Sequence, residues 1–162
     1  MTLFLQFYCA GLFSMLNFVM FDPVDKTYHP YYGLLIFIFI WLNDTGAYIV
    51  GTAFGKHRLF PRVSPMKSWE GFAGGLVIAW IAALALAGSY PEVSWYHWMA
   101  FATMIVVFGT WGDLVESLIK RTYGVKDSGT LLPGHGGILD RFDSMMLATP
   151  AIWLYLRLFI QS

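Results

Sequence analysis

Long apolar runs separated by two compact charged loops constrain this 162-residue chain more than any other feature. The runs cover residues 3–21, 31–52, 71–88, 95–111 and 142–160, each close to the ~20 residues that cross a hydrocarbon core. Only 12% of the residues are charged, against about 25% in ordinary soluble domains. Much of the surface must therefore face something other than water. The expected fold is all-α: a polytopic membrane helix bundle of about five transmembrane helices, forming a single transmembrane domain over 1–162.

The position of the charges gives this bundle a direction. Lys56, Arg58, Arg62 and Lys67 lie in the loop after the second run, and Lys120, Arg121, Lys126 and Arg141 in the loop after the fourth. The connection after the first run holds Lys26, and that after the third holds no Lys or Arg. Basic residues stay on the cytoplasmic side of short loops, so both motif loops are expected there, with the N-terminus inside and the C-terminus outside. No basic region or small-residue cleavage site accompanies Leu3–Phe21, which reads as a retained span. Cys9 is the single cysteine, which excludes a disulfide framework or a cysteine-based zinc site. Acidic and basic residues balance at 10 each, and no nucleic-acid partner is expected.

Carboxylates gather at the cytoplasmic ends of the runs. Asp113 and Glu116 are three residues apart at the end of the fourth run, and Asp140 and Asp143 are three apart at the start of the fifth. On a helix that spacing puts both members of a pair on one face. Where two such helix ends meet, hard oxygen ligands converge on one point, a site suited to magnesium. Glu116 has two readings, an ordinary i,i+4 pair with Lys120 or a metal ligand beside Asp113. Asp44 lies inside the second run, where an acid is either functional or held by a buried hydrogen bond. Between the acid pairs, Gly134-His135-Gly136-Gly137 can turn successive backbone N–H groups toward an anion. Lys120, Arg121 and Lys126 add the point charges and forked donors that suit phosphate.

At these residues the chain resembles the phosphatidate cytidylyltransferase (CDP-diglyceride synthase) family. The family signature is met at Ser117, Lys120, Arg121, Lys126, Asp127, Gly129, Pro133, His135, Gly136, Gly137, Asp140, Arg141 and Asp143. A second block, Asp44-Thr45-Gly46-Ala47-Tyr48, Gly55-Lys56 and Ser64 through Gly71, is similar to the family as well, with Ser68 where a threonine is commoner. Gly112 through Ser117 matches too, so the resemblance covers roughly Asn43 to the C-terminus. It implies several further N-terminal spans, which this chain lacks.

The resemblance implies a nucleotidyltransferase that joins CTP and phosphatidate into CDP-diacylglycerol and pyrophosphate, with magnesium and room for a second cation. The implied setting is a bacterial inner membrane, with the site facing the cytoplasm. Asp113, Asp140 and Asp143 are then the metal ligands. Lys120, Arg121, Lys126 and the turn at His135, Gly136 and Gly137 cradle the triphosphate, with Ser117 and Arg141 among the substrate contacts. Lys67 reaches the lipid phosphate or the leaving group, and Asp127 orients Lys126 or joins the metal shell. A CTP-dependent polyprenol or dolichol kinase, or a cytidylyltransferase acting on another lipid phosphate, shares most of these features. The small-residue cluster Gly71, Ala73, Gly74 and Gly75 permits close helix contacts, including those of a homodimer.

Overall fold

The computed structural model describes residues 10–22, 26–91, 93–125 and 139–160, with backbone alone at 13, 22 and 139–141. Helix α1 (Leu12–Met20) leads through a short antiparallel ribbon, β1 (Phe21–Asp22) against β2 (Thr27–Tyr28), into α2 (Pro30–Phe54). A second antiparallel hairpin, β3 (Arg58–Phe60) with β4 (Ser64–Ser68), joins α2 to α3 (Trp69–Ser89). Then come α4 (Trp95–Thr122) and α5 (Leu139–Phe159). Pro30 opens α2 at a position where its missing N–H is no loss. Ser68 caps α3, its Oγ accepting from the Gly71 N–H at 3.1 Å.

Three helices, α2, α3 and α4, are long and apolar enough to cross a membrane. At ~1.5 Å per residue the 28 residues of α4 extend about 42 Å, well past a ~30 Å hydrocarbon core. Its last turns therefore carry polar side chains out of the apolar layer. The described part of the first expected span is the nine-residue α1, and residues 1–9 lie outside the described residues. The fifth expected span is α5, which is long enough but holds Asp140, Arg141, Asp143 and Arg157.

The chain reverses between successive helices, so the β3–β4 hairpin, the last turns of α4 and the first turn of α5 meet at one end. At the other end, Arg157 of α5 donates from Nη2 to the Phe21 carbonyl at 3.2 Å. The core between these ends is made by Ile36 and Phe39 of α2, Phe101 and Ile105 of α4, and Ile152 and Leu156 of α5. Large side chains also cover the outside: Trp41 is 72% exposed and Tyr48 71%. An apolar exterior of that kind marks a membrane-facing surface.

The glycines of α3 serve contacts within the chain. A Cβ on Gly46 of α2 would lie 3.0 Å from both the Gly74 carbonyl oxygen and Gly75 Cα, and one on Gly75 would lie 2.3 Å from Asn43 Oδ1. The small-residue cluster thus lets α2 and α3 touch backbone to backbone. That use within one chain removes it as an argument for a homodimer.

Candidate active site

Helix α4 presents Asp113, Glu116, Ser117 and Lys120 on neighbouring turns near its polar end. Ser117 Oγ donates to Asp113 Oδ1 at 3.2 Å. Lys120 Nζ lies 2.7 Å from Glu116 Oε2, and this pair is nearly out of solvent, with side chains 16% and 2% exposed. Both readings of Glu116 hold at once, since it is paired with Lys120 and also stands beside Asp113.

Asp143 arrives from α5. Its Oδ1 accepts from its neighbour Ser144, from the backbone N–H at 2.5 Å and from Oγ at 3.3 Å. Each of Asp113, Glu116 and Asp143 offers a carboxylate oxygen within 4.8 Å of the other two. The approach depends on Gly112. A Cβ there would stand 2.6 Å from the Asp143 carbonyl oxygen, 3.2 Å from that of Ser144 and 3.3 Å from Ser144 Cα. With a hydrogen at that position, α5 lies directly on α4 and its acid reaches the other two.

The third contributor is the hairpin. Lys67 of β4 forms an ion pair with Asp113 through Nζ and Oδ2. Two features hold β4 in place. Ser68 caps α3, and Glu70 accepts from the His57 N–H at 3.2 Å and pairs with His57 Nδ1 at 2.6 Å. The hairpin escaped the sequence reading, which left 55–70 as a basic loop. Its signals were the turn-forming Pro61, the apolar Leu59 and Phe60 on one side of it, and a capping serine at Ser68 followed by Glu70.

A cavity of about 200 Å³ opens beside this cluster, lined among others by Asp44, Tyr48, Lys67, Phe72 and Thr110. Asp44 accepts from Asn43 Nδ2 at 3.4 Å and lies close enough to Lys67 and Asp113 to feel both charges. Span acid, hairpin lysine and helix-end acids therefore belong to one neighbourhood. Arg121 is exposed at the end of α4. Asp140 and Arg141 fall in the first turn of α5, where backbone alone is described. Lys126, Asp127, His135, Gly136 and Gly137 lie outside the described residues.

Three carboxylates against two lysines leave a formal excess of one negative charge, in a donor set made wholly of hard oxygen. That composition fits magnesium, which binds one or two carboxylates together with phosphate and water. Asp113, Glu116 and Asp143 are the residues that can hold it.

Residues 1–159 match the cytidylyltransferase family. The chain belongs to that family. The match reaches beyond the Asn43–C-terminus stretch over which the motifs resemble it. Among curated relatives, the phosphatidate cytidylyltransferase of Bacillus subtilis (strain 168) is 49% identical over 124 residues, covering 75% of this chain and 46% of that protein. Its namesake in Staphylococcus saprophyticus is likewise 49% identical over 124 residues, 75% of this chain and 47% of the relative. That of Staphylococcus aureus (strain COL) is 48% identical over the same shares. The chain spans about half the length of the curated relatives it matches.

Proposed function

We propose that this chain carries the catalytic centre of a phosphatidate cytidylyltransferase, which transfers the cytidylyl group of CTP to phosphatidate at the cytoplasmic face of a bacterial inner membrane. The observation that carries the reading is the meeting of Asp113 and Glu116 from α4 with Asp143 from α5, flanked by Lys67 and Lys120. The name of the relatives supports the choice of substrates. The two motif loops hold most of the basic residues, which supports the cytoplasmic orientation.

In the proposed reaction an oxygen of the lipid phosphate attacks the α-phosphorus of CTP. The new P–O bond forms as the bond to the β-phosphate breaks, and the electron pair leaves with pyrophosphate. A lipid phosphate is already anionic near neutral pH, so the nucleophile needs no strong base. The barrier lies in aligning two anions and stabilising the charge that moves to the leaving group. Magnesium, when bound, supplies charge neutralisation at the phosphate oxygens and a template for their alignment, and Asp113, Glu116 and Asp143 would hold it, with Asp140 as a further ligand.

Lys67 stands where Asp113 meets the cavity, placed to turn from the carboxylate to a phosphate. Lys120 keeps Glu116 ionised and oriented. Ser117 fixes the rotamer of Asp113 by its hydrogen bond, and Asp44 adds a negative wall that steers Lys67. Arg121, Lys126, Arg141 and the His135-Gly136-Gly137 turn complete the triphosphate cradle, with Asp127 orienting Lys126. The test is an assay of the purified chain with magnesium, phosphatidate and CTP labelled at either the α- or the γ-phosphate. Label from the α-position in the lipid product supports the reading. Label transferred only from the γ-position identifies a lipid kinase instead, and no lipid-linked label from either overturns the assignment.

A further inference from the structure

The β3–β4 hairpin carries more cations than the acid cluster uses. Lys67 alone is engaged with the acids, while Lys56, Arg58 and Arg62 are exposed. Lys56 and Arg62 have no ion-pair partner among the described residues, and Arg58 reaches the Met66 carbonyl at 3.4 Å through Nη1. Glu70, the acid within this stretch, is held by His57. Interleaved with the cations are outward apolar groups: Phe54 is 67% exposed, Met66 78% and Trp69 57%.

The level of the hairpin follows from its contacts. It grows from the ends of two membrane-grade helices, α2 and α3, and does not stand away from them. Phe60 packs its ring edge-on to Trp111, with centroids 6.0 Å apart. Helix α4 runs a further eleven residues past Trp111, about 16 Å more. The hairpin therefore lies beside the middle of α4's polar half, at the depth where a membrane protein meets the phosphates of its own bilayer. Aromatic side chains at that depth are the usual mark of the membrane interface.

We propose that this hairpin is a docking surface for the anionic headgroups of the leaflet in which the helices sit. Lys56, Arg58 and Arg62 bind the headgroup phosphates, while Phe54, Met66 and Trp69 rest on the acyl–headgroup boundary. Charge complementarity selects this occupant. The three cations lie on exposed positions, whereas the lysine that lines the cavity, Lys67, is held by Asp113. A soluble triphosphate needs donors converging from several sides, which these outward groups do not offer. The docking requires no step of the proposed reaction, and it fixes the register of β4, hence of Lys67, against the membrane.

The test places a nitroxide at Pro61 in the hairpin turn (Pro61→Cys with Cys9→Ser). The full chain is reconstituted in nanodiscs of phosphatidylcholine, or of phosphatidylcholine mixed with phosphatidylglycerol. Electron paramagnetic resonance then compares access of a water-soluble nickel chelate and of oxygen to the label. A cation near an anionic surface shifts the docked-to-undocked ratio about fivefold, so three shift it by about a hundredfold. Anionic lipid should therefore remove most nickel access and raise oxygen access, and added salt should reverse this. The combined Lys56→Gln, Arg58→Gln, Arg62→Gln variant should remain accessible in both lipids. Equal access for the unmutated hairpin in the two lipids overturns docking without recourse to any charge variant. So does an unchanged shift in the triple variant. Protection produced by CTP in pure phosphatidylcholine also overturns it, by assigning the hairpin to the nucleotide site.

Discussion

Replacing Gly112 by alanine isolates the contact that brings the acids together. The new methyl would sit 2.6 Å from the Asp143 carbonyl oxygen, so α5 must retreat by roughly 0.8 Å to reach an ordinary 3.4 Å contact. The obstacle is backbone, which cannot swing aside as a flexible side chain would. Overpacking of this kind costs about 1–3 kcal/mol, and alanine returns about 1 kcal/mol of helix propensity over glycine. The net loss of stability is then at most about 2 kcal/mol, a shift of several degrees in Tm for a chain of this size. The chemistry is far more sensitive, because a displacement near 1 Å can lower a rate about a hundredfold.

Gly109, one turn earlier on α4, supplies the control. A Cβ there would lie 3.7 Å from Ser144 Cβ and from its carbonyl oxygen, an ordinary contact. Incorporation of α-labelled CTP into lipid should fall about a hundredfold in Gly112→Ala, and stay within about threefold of the unmodified chain in Gly109→Ala. Thermal unfolding in detergent is measured on the same samples. Near-normal turnover in Gly112→Ala, or an equal loss in both variants, would refute the claim that this crossing sets the acid geometry.

Three further outcomes follow from the same arrangement. Glu116→Gln breaks a nearly buried pair, which costs about 3–5 kcal/mol, and should lower turnover at least about tenfold; adding Lys120→Met should restore Tm but not turnover, and recovery of both would reduce Glu116 to a structural partner of Lys120. Lys67→Met should slow cytidylyl transfer while tightening manganese binding, because Asp113 loses its lysine counter-charge; unchanged manganese affinity would show that the ion pair does not compete with a cation. Ser68→Ala removes the cap of α3 at a cost of about 1 kcal/mol, and Ser68→Thr should retain most of the stability; equal Tm values for Ser68→Ala and the unmodified chain would remove the cap from the account.

Much of the bundle was legible because hydropathy acts on whole segments. Expected spans 31–52 and 71–88 became Pro30–Phe54 and Trp69–Ser89, and the fourth run continues as one helix to Thr122. The i,i+3 spacing of Asp113 and Glu116 placed both on one face of α4 before any coordinate was known. The convergence of Asp143 on them was a matter of tertiary contact, since nothing in the pattern around Gly112 says which backbone will rest against it. The hairpin was hidden for a related reason. Its strands are three and five residues long, too short for period-2 alternation to declare itself. They are fixed by His57 on Glu70 and by Phe60 on Trp111, pairs far apart in the chain. The glycine cluster of α3 announced close packing, but a small-residue stripe does not name its partner, which here is α2.

The most direct measurement is a manganese titration of the purified chain followed by electron paramagnetic resonance, comparing the unmodified protein with Asp113→Asn and Asp143→Asn. Acids from two helices sharing one cation predict a saturable site that either substitution weakens by more than about tenfold, with helical content preserved. Binding unchanged in Asp143→Asn would mean that α5 contributes no ligand, and would contradict the shared site.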